Sequence, residues 1–212
     1  MRKGGGMANP YFYPNIWGRS ILTSAEEILG ENGVNALLNL ARMQRYIGNY
    51  PLDNIKKEFP FAHVARLQQA LYDMYGPRGA RVFATRGGEQ TFRHSMDKYD
   101  KVQRAAQAAM GIGSIETRHR IGLQFFSKFF NTVSDQVVRI DDDDNYWYWI
   151  IERCPMCWER TAEEPVCHLG IGVLNAASTW ATGGVKFRIQ EIDCKAKGDE
   201  NCVYAIEKVP IG

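Results

Sequence analysis

Residues 187–206 read FRIQEIDCKAKGDENCVYAI. The segment opens as a strand, with Phe187, Ile189 and Ile192 set among polar neighbours. It turns through Lys197-Gly198-Asp199 and returns as a second strand through Val203, Tyr204 and Ile206. Cys194 and Cys202 stand on either side of the turn, and Glu191 lies shortly before Cys194. The arms of a hairpin sit about 5 Å apart. Two thiols flanking its turn can therefore share one ion, and a carboxylate from the incoming strand can join them. The missing ligand must come from upstream, where Cys154-Pro-Met-Cys157 and Cys167 supply further thiols.

Working back from the hairpin, Cys167 opens a helix to about residue 181, with Leu169, Val173, Leu174 and Ala177 in register, and Gly183-Gly184 closes it. Residues 154–166 form a loop. Two strands precede it, at 136–140 and 146–151, joined by a carboxylate-rich turn at 141–145. The second, YWYWII, is apolar throughout, as in a strand with no solvated face. Residues 114–133 form an amphipathic helix carrying Ile121, Phe125, Phe126, Phe129 and Phe130.

The earlier half is helical. Ser24 reads as a cap, with Glu26 and Glu27 in the first turn. Further helices are expected at 34–43, at 61–75 with Val64, Leu67, Leu71 and Met74, at 80–96 after a Gly76-Pro77 break, and at the Ala-rich 101–110 before Gly111 and Gly113. Residues 11–19, aromatic and punctuated by Pro14 and Gly18, read as an irregular arm. The order of elements gives an α+β fold, an antiparallel sheet of about four strands covered by helices, with a helical N-terminal half. Residues 1–10 read as a flexible leader and 11–212 as a single domain, with a helical part at 11–110 and an α+β core at 114–208.

Composition narrows the function. The chain has 212 residues, 45% of them hydrophobic, which supports a substantial core. A formal net charge of +2 gives no broad nucleic-acid footprint. No apolar run approaches the roughly 20 residues of a membrane helix, and the N-terminus lacks a secretory signal pattern. A cytoplasmic location is expected, where thiols stay reduced. The five cysteines, all beyond residue 150, then read as metal ligands rather than disulfides.

The run Pro165-Val166-Cys167, Gly172, Glu191-Ile-Asp-Cys194, Gly198-Asp199 and Cys202 resembles the vinyl-4-reductase (4VR, hydrocarbon-binding) domain family. That family is related in fold to transport-particle subunits, and it supplies the sensor domains of activators that respond to aromatics. The resemblance is specific over about residues 165–206 and extends to the helical half in layout only. It implies one structural zinc held by Cys167, Glu191, Cys194 and Cys202, a chemically coherent closed site. Cys154 and Cys157 depart from that pattern; their Cys-x-x-Cys spacing suits a replacement ligand or a redox pair. The resemblance further implies that His119 and Trp147 hold a ligand hydroxyl. Against this, the flanking Arg118 and Arg120 favour a solvated position for His119.

Phe125, Phe126, Phe129, Phe130, Trp147, Tyr148 and Trp149 carry more aromatic surface than one interface needs. The surplus calls for a ligand cavity, another layer or a partner chain. The expected ligand-binding residues are His119, Phe125, Phe126, Phe129, Trp147 and Trp149, around a cavity between the 114–133 helix and the 146–151 strand that Gly172, Ala176 and Ala177 help to open. The Asp141–Asp144 run lacks the glycine and closing glutamate of a calcium loop, and no nucleophile–base–acid constellation is present. The resulting expectation is a zinc-stabilised binding module for a hydrophobic aromatic or acyl ligand, homodimeric and acting through a protein partner. A tetrapyrrole-synthesis factor or vinyl reductase and a structural interaction subunit are the alternatives. Vinyl reduction needs a hydride or electron source, and the sequence offers no nucleotide site for one.

Overall fold

The structure is a computed structural model that describes residues 11–96, 98–99, 104 and 113–211. The leader at 1–10 and most of the expected 101–112 helix and glycine break lie outside the described residues. The described chain is α+β with a helical N-terminal half, and its last third follows the period change seen in the sequence.

Strands β3 (Val137–Asp142), β4 (Tyr146–Arg153), β5 (Phe187–Asp193) and β6 (Cys202–Pro210) form one antiparallel sheet in the order β3-β4-β6-β5. Strand β4 is central and pairs Trp147 with Ile206, Trp149 with Tyr204 and Ile151 with Cys202 across β6. Trp147, Trp149 and Ile151 point inward and are buried, whereas Tyr146 and Tyr148 lie half-exposed on the other face. The strand expected to lack a solvated face therefore has one, built from tyrosines whose hydroxyls tolerate water. Tyr148 donates to Asp143 at 2.7 Å, and Asp143 also accepts the Asn145 and Tyr146 N–H groups. The carboxylate run is thus a self-capped turn.

Four helices cover the inner face among the described residues. Helix α1 (Asn15–Leu40) is interrupted at Gly30, and α2 (Phe61–Met96) is interrupted at Gly76, where φ of 66° precedes Pro77. Helix α3 (Ile115–Val133) is capped by Ser114, whose side chain accepts the Thr117 N–H. Helix α4 (His168–Thr182) ends at Gly183 in a left-handed conformation. Two short strands, β1 (Phe12–Pro14) and β2 (Lys57–Pro60), pair as an antiparallel ribbon beside α1.

Three expectations from the sequence are corrected. Residues 11–19 are not an irregular arm: they form β1 and the first turn of α1, with Tyr13 and Trp17 buried in the core. Ser24 is not a cap but an interior residue whose hydroxyl donates to the Ser20 carbonyl at 2.7 Å. Gly172 does not open space. A Cβ there would collide with the Thr85 carbonyl, and one at Gly88 would collide with the Leu169 carbonyl. These two glycines bring α2 and α4 into backbone contact.

Candidate metal centre and ligand cavity

The five thiols gather in one buried cluster. Cys154 and Cys157 come from the loop after β4, Cys167 from the residue before α4, Cys194 from the end of β5 and Cys202 from the first residue of β6. All five are free. Sγ separations are 3.6 Å for Cys154–Cys167, 3.4 Å for Cys157–Cys202, 3.8 Å for Cys167–Cys194 and 3.9 Å for Cys167–Cys202.

Two sets of four ligand atoms are close enough to hold an ion. One is Cys154, Cys157, Cys167 and Cys202; the other is Cys167, Glu191, Cys194 and Cys202. The second is the set implied by the family resemblance, and the first brings in the additional Cys-x-x-Cys. The backbone supports both. Lys195 N–H donates to Cys202 Sγ at 3.4 Å, Cys194 N–H donates to Asp199 at 2.8 Å, and Ala162 N–H donates to Ala196 O at 2.9 Å, tying the cysteine loop to the hairpin turn.

Glu191 is 4% exposed. Its Oε2 accepts the Cys167 N–H at 2.8 Å, while its Oε1 has no hydrogen-bond partner. Burial, then the neighbouring Cys194, pushes its carboxyl up to about 9. Burial likewise raises the Cys154 and Cys167 thiols. Without a cation this pocket disfavours negative charge, and a dication reverses that preference. Thiolates and a carboxylate in a closed, buried tetrahedron are the donor set of a structural zinc site.

Beside this cluster lies an apolar cavity of about 70 Å³, several times the space one water needs. Phe126, Phe129 and Phe130 of α3 and Trp149 and Ile151 of β4 meet there, as expected from the sequence. The walls are completed from the N-terminal half, by Trp17 of α1 and by Ser95 and Tyr99 at and beyond the end of α2. No Lys, Arg, His, Asp or Glu lines it among the described residues.

Its polar atoms are not those foreseen. Trp17 Nε1, Ser95 Oγ and Tyr99 Oη are buried and lack hydrogen-bond partners among the described residues. The Trp17 N–H is near enough to the Tyr99 hydroxyl to counter part of the rise in its pKa that burial causes, yet the two are not in hydrogen-bonding geometry. Sequence reasoning missed this trio because its members are far apart in the chain. An indole and a phenol, each able to donate from an otherwise apolar ring, are the only signal they carry.

The remaining expected ligand residues sit elsewhere. Of the six, Phe126, Phe129 and Trp149 line the cavity, and His119, Phe125 and Trp147 do not. His119 is not solvated either: it is 1% exposed, stacks on Phe187 at 4.0 Å and shares a 2.9 Å hydrogen bond between Nε2 and Ser178 Oγ. Burial pushes its pKa down to about 4. The flanking Arg118 and Arg120 point away because successive helix residues diverge around the axis. Trp147 lies under Lys208, whose Nζ is 4.1 Å from the ring centroid.

The vinyl-4-reductase (4VR) domain family model matches residues 147–208, a stretch that contains every residue of the thiol cluster. No curated protein matches the chain. Among solved structures, an H-NOX protein from S. oneidensis in the Fe(II)NO ligation state is 12% identical with a TM-score of 0.52, covering 89% of this chain and 98% of that one. The phenol-responsive sensory domain of the transcription activator PoxR with phenol is 18% identical with a TM-score of 0.51, covering 82% of this chain and 88% of that one. At these identities the likeness is one of fold. Among the described residues no helix is long and apolar enough to cross a membrane.

Proposed function

We propose that this chain, whose residues 147–208 match the 4VR domain, is a small-molecule-binding sensor or carrier domain for an uncharged hydrophobic ligand. The observation that carries the reading is the apolar cavity with three unpartnered polar atoms at one side. A ring-sized aromatic or a short acyl group fits its volume and lining. Trp17 N–H, Tyr99 O–H and Ser95 O–H would donate to a hydroxyl or carbonyl oxygen on that ligand. A carboxylate would find no countercharge among the lining residues and would be excluded by its desolvation cost.

Zinc in the thiol cluster, bound through Cys167, Glu191, Cys194 and Cys202, would hold the β5–β6 hairpin against α4. Its role is structural, since the site is closed. The domain would act through a protein partner in the cytoplasm and form a homodimer. The half-exposed sheet face with Tyr146, Tyr148, Ile192 and Ala205 supports the dimer, in place of the N-terminal arm, which is folded into the core. As a single domain from residue 11 to 212 it would need the helical half, because Trp17, Ser95 and Tyr99 complete the cavity.

The test is thermal melting with phenol, acetophenone, toluene and benzoate as probes. A ligand that binds only the folded state raises the melting temperature by mass action. Phenol and acetophenone should raise it more than toluene, and benzoate not at all. No shift with any neutral probe would remove the reading and leave the interaction-subunit alternative.

A further inference from the structure

The two sets of metal ligands share Cys167 and Cys202. Cys154 and Cys157 complete one set on one side of this pair, and Cys194 and Glu191 complete the other. A zinc–sulfur bond of about 2.3 Å in a tetrahedron implies sulfur–sulfur edges of about 3.8 Å. The observed separations of 3.4 to 3.9 Å, including 3.9 Å for the shared pair, match such edges. The six donors therefore outline two tetrahedra joined along one edge.

We propose that the cluster binds two zinc ions bridged by the thiolates of Cys167 and Cys202. One ion takes Cys154 and Cys157 as its terminal ligands, and the other takes Cys194 and Glu191. This extends the reading of the cluster as a zinc centre and rests on it. Each cysteine that binds gives its proton to solvent, so loading releases protons and no electrons move.

Charge and hydrogen bonding favour the second ion. A single ion in the first set leaves Cys194 and Glu191 buried and unligated, with Glu191 Oε1 still lacking a partner. A single ion in the second set leaves Cys154 and Cys157 as buried thiols 3.6 and 3.4 Å from ligated sulfurs. Two dications satisfy all six donors. Five thiolates and one carboxylate then leave two negative charges, the same residue as one zinc held by four thiolates. The cluster has no lysine or arginine among its donors, so the second dication is the available countercharge.

The experiment is zinc-to-protein stoichiometry and native mass spectrometry on the full chain, purified with zinc and without chelators. Cadmium-113 NMR of cadmium-exchanged protein accompanies it. Two zincs per chain are expected, with two coupled cadmium resonances, one from an all-sulfur site and one from a three-sulfur, one-oxygen site. Cys154→Ser should weaken or remove only the first site, and Glu191→Gln only the second. One zinc per chain with a single cadmium resonance overturns the bridged pair and leaves the single-zinc reading standing. No bound zinc overturns both. The wild-type cadmium spectrum decides the matter even if a variant fails to fold.

Discussion

Glu191 Oε2 accepts the backbone N–H of Cys167 at 2.8 Å, joining edge strand β5 to the start of α4 inside the thiol cluster. Removing the acceptor leaves a buried N–H unpaired, at a cost of about 1–3 kcal/mol. Glu191→Ala should lower the unfolding free energy by at least that amount, measured by urea unfolding of the protein as purified. Glu191→Gln keeps an acceptor oxygen and should cost less. Equal losses in the two variants would show that this hydrogen bond contributes nothing of its own.

Zinc removal should unfold the C-terminal half. Binding energy at a structural site is folding energy, and the cluster draws on a loop, a helix start and both arms of the hairpin. A strong chelator, or Cys202→Ser, should lower the melting temperature by more than about 10 °C, equivalent to several kcal/mol at this size. An unchanged melting curve in Cys202→Ser would contradict a structural metal.

Adjacent glycines on α2 should respond in opposite directions to alanine. At Gly88 a Cβ would run into the Leu169 carbonyl, whereas at Gly87 its nearest neighbours are side-chain methyls at 3.9 and 4.0 Å. Gly88→Ala should destabilise by about 1–3 kcal/mol through overpacking. Gly87→Ala should be neutral or stabilise by up to about 1 kcal/mol through helix propensity. Thermal melting of the two variants checks both.

Tyr99→Phe deletes a hydroxyl that has no partner among the described residues. It should leave stability nearly unchanged and weaken phenol binding about three- to tenfold, the worth of one neutral hydrogen bond. Trp147→Ala should behave in the opposite way. Its ring is buried but off the cavity wall, so it should cost about 3–5 kcal/mol of stability and leave phenol affinity in the surviving folded protein largely intact. Calorimetric titration with phenol separates the two effects.

His119 sets a pH dependence. Its folded pKa lies near 4, below the ordinary value of about 6.5. As pH falls through 6.5, the unfolded chain takes up a proton that the folded chain refuses, so stability drops progressively until about pH 4. His63 and His168 are held down to about 4 by burial as well. His119→Gln should flatten part of the slope between about pH 6.5 and pH 4 in a melting series. An unchanged slope would place the pH sensitivity elsewhere.

The hairpin, the Cys167 helix and the Phe-rich helix were legible because each carries a clear period and a glycine or serine at its end. The β1–β2 ribbon was not, since three- and four-residue strands ending in Pro14 and Pro60 show no alternation to detect. The thiol cluster could be read as a metal site from Cys194 and Cys202 across one turn, but spacing alone could not say which thiols approach one another. The phenylalanines and Trp149 announced a cavity. Its polar atoms did not announce themselves, because Trp17, Ser95 and Tyr99 meet only through tertiary packing. His119 misled for a local reason: two flanking arginines describe the neighbouring directions on a helix, not its own.

Three residues of the cavity wall are close chain neighbours of the cluster. Met156 lies between Cys154 and Cys157, Gly170 lies one turn into the helix that Cys167 opens, and Tyr204 follows Cys202 on the same face of β6. The Tyr204 hydroxyl also donates to the Cys167 carbonyl at 3.0 Å. Any geometry that a metal imposes on these backbones is imposed on the wall. Coupling of two binding free energies is reciprocal, so a metal that tightens ligand binding must itself be held tighter, by the same factor, when the ligand is present. Occupancy of the cavity then reports metal supply as well as ligand.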